Sequence, residues 1–177
     1  MCLKISDYLR MFHVERLSGV FHIRKYDLVH HSFLVGILFE RFAKKEGIEI
    51  SAQALSSVLH HDVFETVTGD LSYVVKNYSR TTKKSWEKIE DEMLKRESRF
   101  SDCTDEHMKS VLSPLQFTLF KSCDLFELWI FIVNEYLFGN HHNDIVEIMK
   151  RCEEIIEGYG IPSVIAEMYE YKKEVGL

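Results

Sequence analysis

The chain has 177 residues, 46% hydrophobic and 28% charged, which is enough for one domain with a substantial core and too short for two ordinary ones. Its net charge of −6 excludes the basic surface that nonspecific phosphate neutralisation needs, so no stable nucleic-acid complex is expected. Cys2, Cys103, Cys123 and Cys152 form no Cys-x-x-Cys pair, and no stretch has the apolar length of a membrane span, so the reading is a cytoplasmic protein without a zinc ribbon or membrane attachment.

All the predicted elements are helices, because no alternating strand pattern of useful length occurs and Pro114 and Pro162 are the only prolines. A first helix is predicted from Ile5 towards Leu17, ending near Gly19, with a loop through Arg24 and Lys25 leading to Asp27 as a cap. The next helix carries the apolar stripe Leu28, His31, Leu34, Val35, Leu38 and Phe42 and closes at Gly47. Ser51 caps a third through Ala54, Leu55, Val58 and Leu59, which carries His61-Asp62 near its C-terminal end, before Gly69. A charged amphipathic helix spans Ser85 to Glu97, and Ser113-Pro114 opens a long apolar one from Leu115 to Phe138, stopped by Gly139-Asn140. Asn143 caps a helix to about Glu157, and Pro162 starts a last one towards Lys173. The fold class is therefore all-α, a single-domain helical bundle over 1–177.

His61-Asp62 is the feature that carries chemistry. Imidazole nitrogen and carboxylate oxygen together suit a borderline divalent ion, and Glu65 and Asp70 follow within about three turns of chain. Two ligands do not hold a metal, so partners are needed elsewhere. His31 is the inward member of its pair by register with Val35, Leu38 and Phe42, whereas His30 shares a face with Phe33, Ile37 and Arg41. Asp124 sits on an apolar helix among Phe120, Leu125, Leu128 and Trp129, where a carboxylate is costly unless a cation compensates. Lys76, Arg80, Lys83 and Lys84 form the densest basic run, read either as a phosphate site or as a solvated helix start. His141-His142 beside Asp144 is read as a helix cap, and the aromatics Phe117, Phe120, Trp129, Phe131 and Tyr136 as core or subunit interface, with a homo-oligomer expected.

The order His31, His61-Asp62, Asp124 resembles the metal motif of the HD-domain phosphohydrolases, all-helical enzymes that hydrolyse phosphate esters with a divalent metal. Arg16, His31-Ser32, the run His61-Asp62-x-x-Glu65-x-x-x-Gly69-Asp70-Leu71 ending in Lys76, Asp124 and Gly139-Asn140 are similar to the bacterial 5′-deoxynucleotidase branch, over about Arg16 to Glu154. Short viral HD enzymes that cleave deoxynucleoside triphosphates, particularly dATP, to nucleoside and triphosphate share the pattern. The resemblance implies His31, His61, Asp62 and Asp124 as ligands of a divalent ion (Co, Mn, Zn, Ni, Fe or Mg) and Glu65 as proton-transfer or water-positioning residue. It implies that Arg16 and Lys76 contact phosphate, with Arg80 and Lys83 as further candidates, and that Asp70 approaches the sugar or a second metal. Leu17 stands where the nucleotidase pattern has Trp, and substrate choice is expected to depend on it. The reaction expected is hydrolysis of a deoxynucleotide 5′-phosphate ester, either dNMP to nucleoside and phosphate or dNTP to nucleoside and triphosphate. The reading of a different class is a catalytically silent HD scaffold that binds a nucleotide or a protein partner.

Overall fold

The computed structural model describes residues 3–70 and 79–177, and among these every regular element is a helix. Local capping chemistry sets most boundaries. Asp27 accepts from the His30 N–H at 3.1 Å and starts α2 (Leu28–Lys45), which ends before Gly47 at φ +67. Ser51 does the same for α3 (Ala52–Leu59) through the Ala54 N–H at 3.0 Å. Ser113 and Gln116 form a capping box ahead of Pro114 and open α7 (Pro114–Leu137). The cap of α8 (Asn143–Tyr159) is His142, one residue before the predicted Asn143, and α9 (Pro162–Val175) follows Pro162 as expected.

Three further predicted boundaries differ. Helix α1 stops at Met11 (Ile5–Met11) and does not continue to Leu17. The chain after it turns back, with the Arg16 N–H on the Tyr26 carbonyl at 2.8 Å and the Leu28 N–H on Val14 at 3.2 Å. Leu17 takes φ +56, a left-handed conformation that no helix accommodates. Helix α3 ends at Leu59, so His61-Asp62 occupies a tight turn before α4 (Glu65–Thr68), which stops at Gly69 with φ +72. The charged helix α5 (Arg80–Arg96) begins at Arg80 rather than Ser85, because Ser79 caps it through the Thr82 N–H. A 3₁₀ turn (Ser98–Cys103) and α6 (Asp105–Val111), absent from the sequence reading, connect it to α7.

Helix α7 is the axis of the molecule, packed along α2 and α8, with α3 lying against α2. The main core gathers Phe39, Phe42, Leu119, Phe120, Phe126, Trp129 and Val133. On α2 the buried stripe runs through Phe39, whereas the predicted Leu34 is exposed. Gly36 lets α2 and α3 close up, since a Cβ there would collide with Leu59 Cδ2. A second apolar cluster of Met11, Leu28, Val63, Phe64 and Phe100 supports the turn that carries His61-Asp62. Phe120, Trp129 and Phe131 are buried inside the chain itself.

Candidate metal centre

Helices α2 and α7 and the α3–α4 turn meet at four side chains. His31 Nε2 stands 3.1 Å from Asp124 Oδ1, 3.4 Å from Asp62 Oδ2 and 3.3 Å from His61 Nε2. His61 Nε2 lies 3.2 Å from Asp62 Oδ2 and 3.9 Å from Asp124 Oδ1. The side chains of His31 and His61 are 0% and 5% exposed and those of Asp62 and Asp124 19% and 26%, so the imidazoles form the floor and the carboxylates the open side. His30, by contrast, is exposed and pairs with Asp27.

The ring tautomers point both Nε2 atoms at the centre. His61 Nδ1 faces the Val58 carbonyl at 2.7 Å; a carbonyl only accepts, so Nδ1 carries the proton. His31 Nδ1 donates to Glu127 Oε2 at 2.5 Å, and the Tyr26 hydroxyl donates to the same oxygen at 2.6 Å. Both Nε2 atoms therefore face each other and two carboxylates. A cation seated among these atoms would be attracted by both carboxylates. The titration shifts have the same origin. Burial and Arg16 oppose it, yet Glu127, Asp124 and Asp62 push the His31 pKa well above the ordinary imidazole range. Despite burial, His61 and Arg16, with hydrogen bonds from both imidazoles, hold Asp62 well below the carboxylate range. Burial is likewise overcome at Asp124, drawn down by His31, His61 and Lys121. His31, His61 and Asp62 bring ligand atoms within 4.8 Å of one another and could hold a divalent ion, with Asp124 3.1 Å from His31 Nε2.

Arg16 forms the rim: its guanidinium is ion-paired with Asp62, stands 3.7 Å from Glu65 Oε2 and lies 5.7 Å from the centre of the Tyr26 ring. Its Nε is buried without an acceptor among the described residues. Asp70 Oδ2 accepts the Leu17 N–H at 2.8 Å, and the Asp70 carbonyl accepts the Ser18 hydroxyl at 2.9 Å, so Asp70 pins the turn after Arg16. The Leu17 side chain packs with Tyr26, Phe131, Ile132 and Ile145. A cleft of about 730 Å³ opens beside His61, Asp62 and Glu65, with α5 and the start of α6 as its far wall. Lys83 lines it, whereas Arg80 and Lys84 line a separate surface recess. Lys76 lies outside the described residues. Burial pushes the thiol of Cys103, also in the cleft, up to about 12, so it is protonated at neutral pH and is no nucleophile.

Glu127 and Tyr26, which fix His31, were missed from sequence. Glu127 follows Asp124 by three residues on the same apolar helix, so the cost of burying Asp124 applies to it equally. Tyr26 carries no such signal.

The sequence profile described as YfbR-like 5′-deoxynucleotidase matches residues 6–175. Among solved structures, the cyanophage S-2L HD phosphohydrolase DatZ, bound to dA and one catalytic Zn²⁺ ion, matches with a TM-score of 0.68 at 17% identity, covering 99% of this chain and 98% of that one. An HD-domain phosphohydrolase from Listeria innocua matches with a TM-score of 0.75 at 21% identity, covering 96% and 86%. A conserved hypothetical protein from Pyrococcus furiosus gives a TM-score of 0.69 at 21% identity, covering 97% and 99%. No curated protein matches in sequence. At these identities the solved structures speak for the fold.

Proposed function

The chain belongs to the YfbR-like 5′-deoxynucleotidase family, and on that footing we propose that it hydrolyses the 5′-phosphate ester of deoxynucleoside monophosphates, with His31, His61, Asp62 and Asp124 holding a divalent metal. The observation that carries the reading is the convergence of two imidazole Nε2 atoms and two carboxylates beside Arg16 and Glu65. When bound, such an ion lowers the pKa of a coordinated water and neutralises charge on phosphoryl oxygens.

The chain's own residues do the rest. Arg16, braced by Asp62 and Glu65, offers its guanidinium to the phosphoryl oxygens. Glu65 takes a proton from the attacking water and returns it to the 5′ oxygen as the phosphorus–oxygen bond breaks. The products are the deoxynucleoside and inorganic phosphate. Asp70 acts by holding the Arg16–Leu17 turn, and Lys83 supplies positive charge from α5. Lys76 keeps its proposed phosphate contact.

A monophosphate is favoured over a triphosphate because, among the described residues, the far wall of the cleft sets Glu87, Glu90, Asp91, Asp105 and Glu106 against Lys83. A cleft of that charge offers little to the two further phosphates of a triphosphate. Lys83 beside the basic start of α5 is what favours the second reading, dNTP to nucleoside and triphosphate. The test is incubation of metal-loaded protein with dAMP and dATP, resolving phosphate, pyrophosphate and triphosphate. Phosphate from dAMP is the expected result; triphosphate from dATP with dAMP untouched would establish the second reading, and silence with both would leave the scaffold.

A further inference from the structure

We propose that Trp86 is the platform on which the nucleobase stacks. The inference rests on the deoxynucleotide reading above and adds a binding residue to it. Lys83, Trp86, Glu90 and Leu94 recur at helical spacing on the face of α5 that looks into the cleft shared with His61 and Asp62. At the lower end of that face, Leu94 packs with Phe64 and Phe100 and docks the helix. Trp86 lies about two turns earlier, outside that cluster. Its indole is half-buried, and Nε1 is shielded from water with no acceptor among the described residues.

The other tryptophan shows what a structural indole looks like in this protein. Trp129 is fully buried, stacks on Phe126 with ring centres 5.5 Å apart and donates from Nε1 to Glu153 at 3.1 Å. Among the described residues Trp86 has neither the stacking nor the acceptor. A buried indole N–H without a partner is uncommon, and a large aromatic face left on a cleft wall is the usual signature of ligand contact.

The chemistry of the wall selects the part of the substrate that belongs there. A phosphate would meet Glu87, Glu90 and Asp91 at the Trp86 end of the cleft and be repelled. A nucleobase is neutral, offers a π face to the indole and, where it has an exocyclic amine, donates to carboxylates. At about 730 Å³ the cleft lies within the range of small-molecule sites, with the phosphate at the ligand end and the base at Trp86.

Two measurements test this. In the first, deoxyadenosine, which carries no phosphate to hydrolyse, is titrated into the wild type and into Trp86→Phe, and tryptophan emission is followed. Quenching in the wild type, its loss in W86F and no quenching by deoxyribose 5-phosphate are expected. In the second, Trp86→Ala is expected to raise KM for dAMP roughly 5- to 100-fold, the range of base–aromatic stacking, with kcat changed far less. The ratio of kcat/KM for dAMP to that for deoxyribose 5-phosphate then falls. Quenching that persists in W86F, or an equal loss on both substrates in W86A, overturns the proposal. A wild type that hydrolyses dAMP but shows no quenching also rejects Trp86 while leaving the activity standing; a protein that turns over no deoxynucleotide rejects the activity instead.

Discussion

Two glutamates separate binding from chemistry at the scale of the residue. Glu127 is almost fully buried and accepts from both His31 and Tyr26, so it fixes the tautomer and orientation of His31 without reaching the cleft. Glu65 stands on the open side beside Arg16. Replacing Glu127 by Gln leaves an uncharged acceptor in its place and is expected to weaken divalent-metal affinity 10- to 100-fold by calorimetric titration. Replacing Glu65 by Gln is expected to lower kcat roughly 10²- to 10⁴-fold with metal affinity nearly unchanged. If both variants lost metal affinity alike, the division of labour between them would be wrong.

At the scale of the element, the segment between α1 and α2 delivers Arg16 to the site, and Glu135 of α7 is its anchor. Glu135 is fully buried and accepts the N–H groups of Ile23 at 2.6 Å and Arg24 at 3.0 Å and the Asn140 amide at 3.1 Å. Burial would raise its pKa, but these hydrogen bonds, with the Arg24 guanidinium, hold it below the ordinary glutamate value. A folded-state pKa below the unfolded one means that the stabilisation is fully present above about pH 4.3 and is lost as the pH falls through the folded value. Glu135→Gln is expected to cost about 1–3 kcal/mol at pH 7 and to flatten the acid limb of the thermal-stability profile. Profiles for variant and wild type that run parallel down to pH 3 would remove Glu135 from this role. The same segment shows why sequence reading succeeded and stopped where it did. Asp27, Ser51, Ser113-Pro114 and Pro162 are local signals, and the helices they start were legible. No breaker separates Met11 from Leu17; α1 ends there because Arg16 pairs with Tyr26 and Asp62 and Leu17 is pinned by Asp70, and these contacts are invisible in sequence. The convergence of His31 and Asp124 was readable because helical register and the cost of a lone buried charge are sequence properties. Whether Arg80 or Lys83 reaches the cleft was not, since it depends on how α5 docks.

Viewed as a whole molecule, the protein is a bundle whose axis, α7, supplies Asp124 and Glu127 to the proposed metal centre and Glu135 to the loop that carries Arg16. Packing therefore fixes the separation of side chains that come from three distant parts of the chain. Removing Asp124 should leave the core intact while disrupting the candidate centre, because Asp124 is half-buried at the edge of the cluster rather than part of the apolar packing. The most direct measurement is the bound divalent metal per chain, taken together with phosphate release from dAMP, in the wild type and in Asp124→Ala prepared side by side. The wild type is expected to retain metal and release phosphate, and the variant to fold with both lost. A variant that keeps its metal and its turnover would contradict the four-residue centre on which the whole account depends.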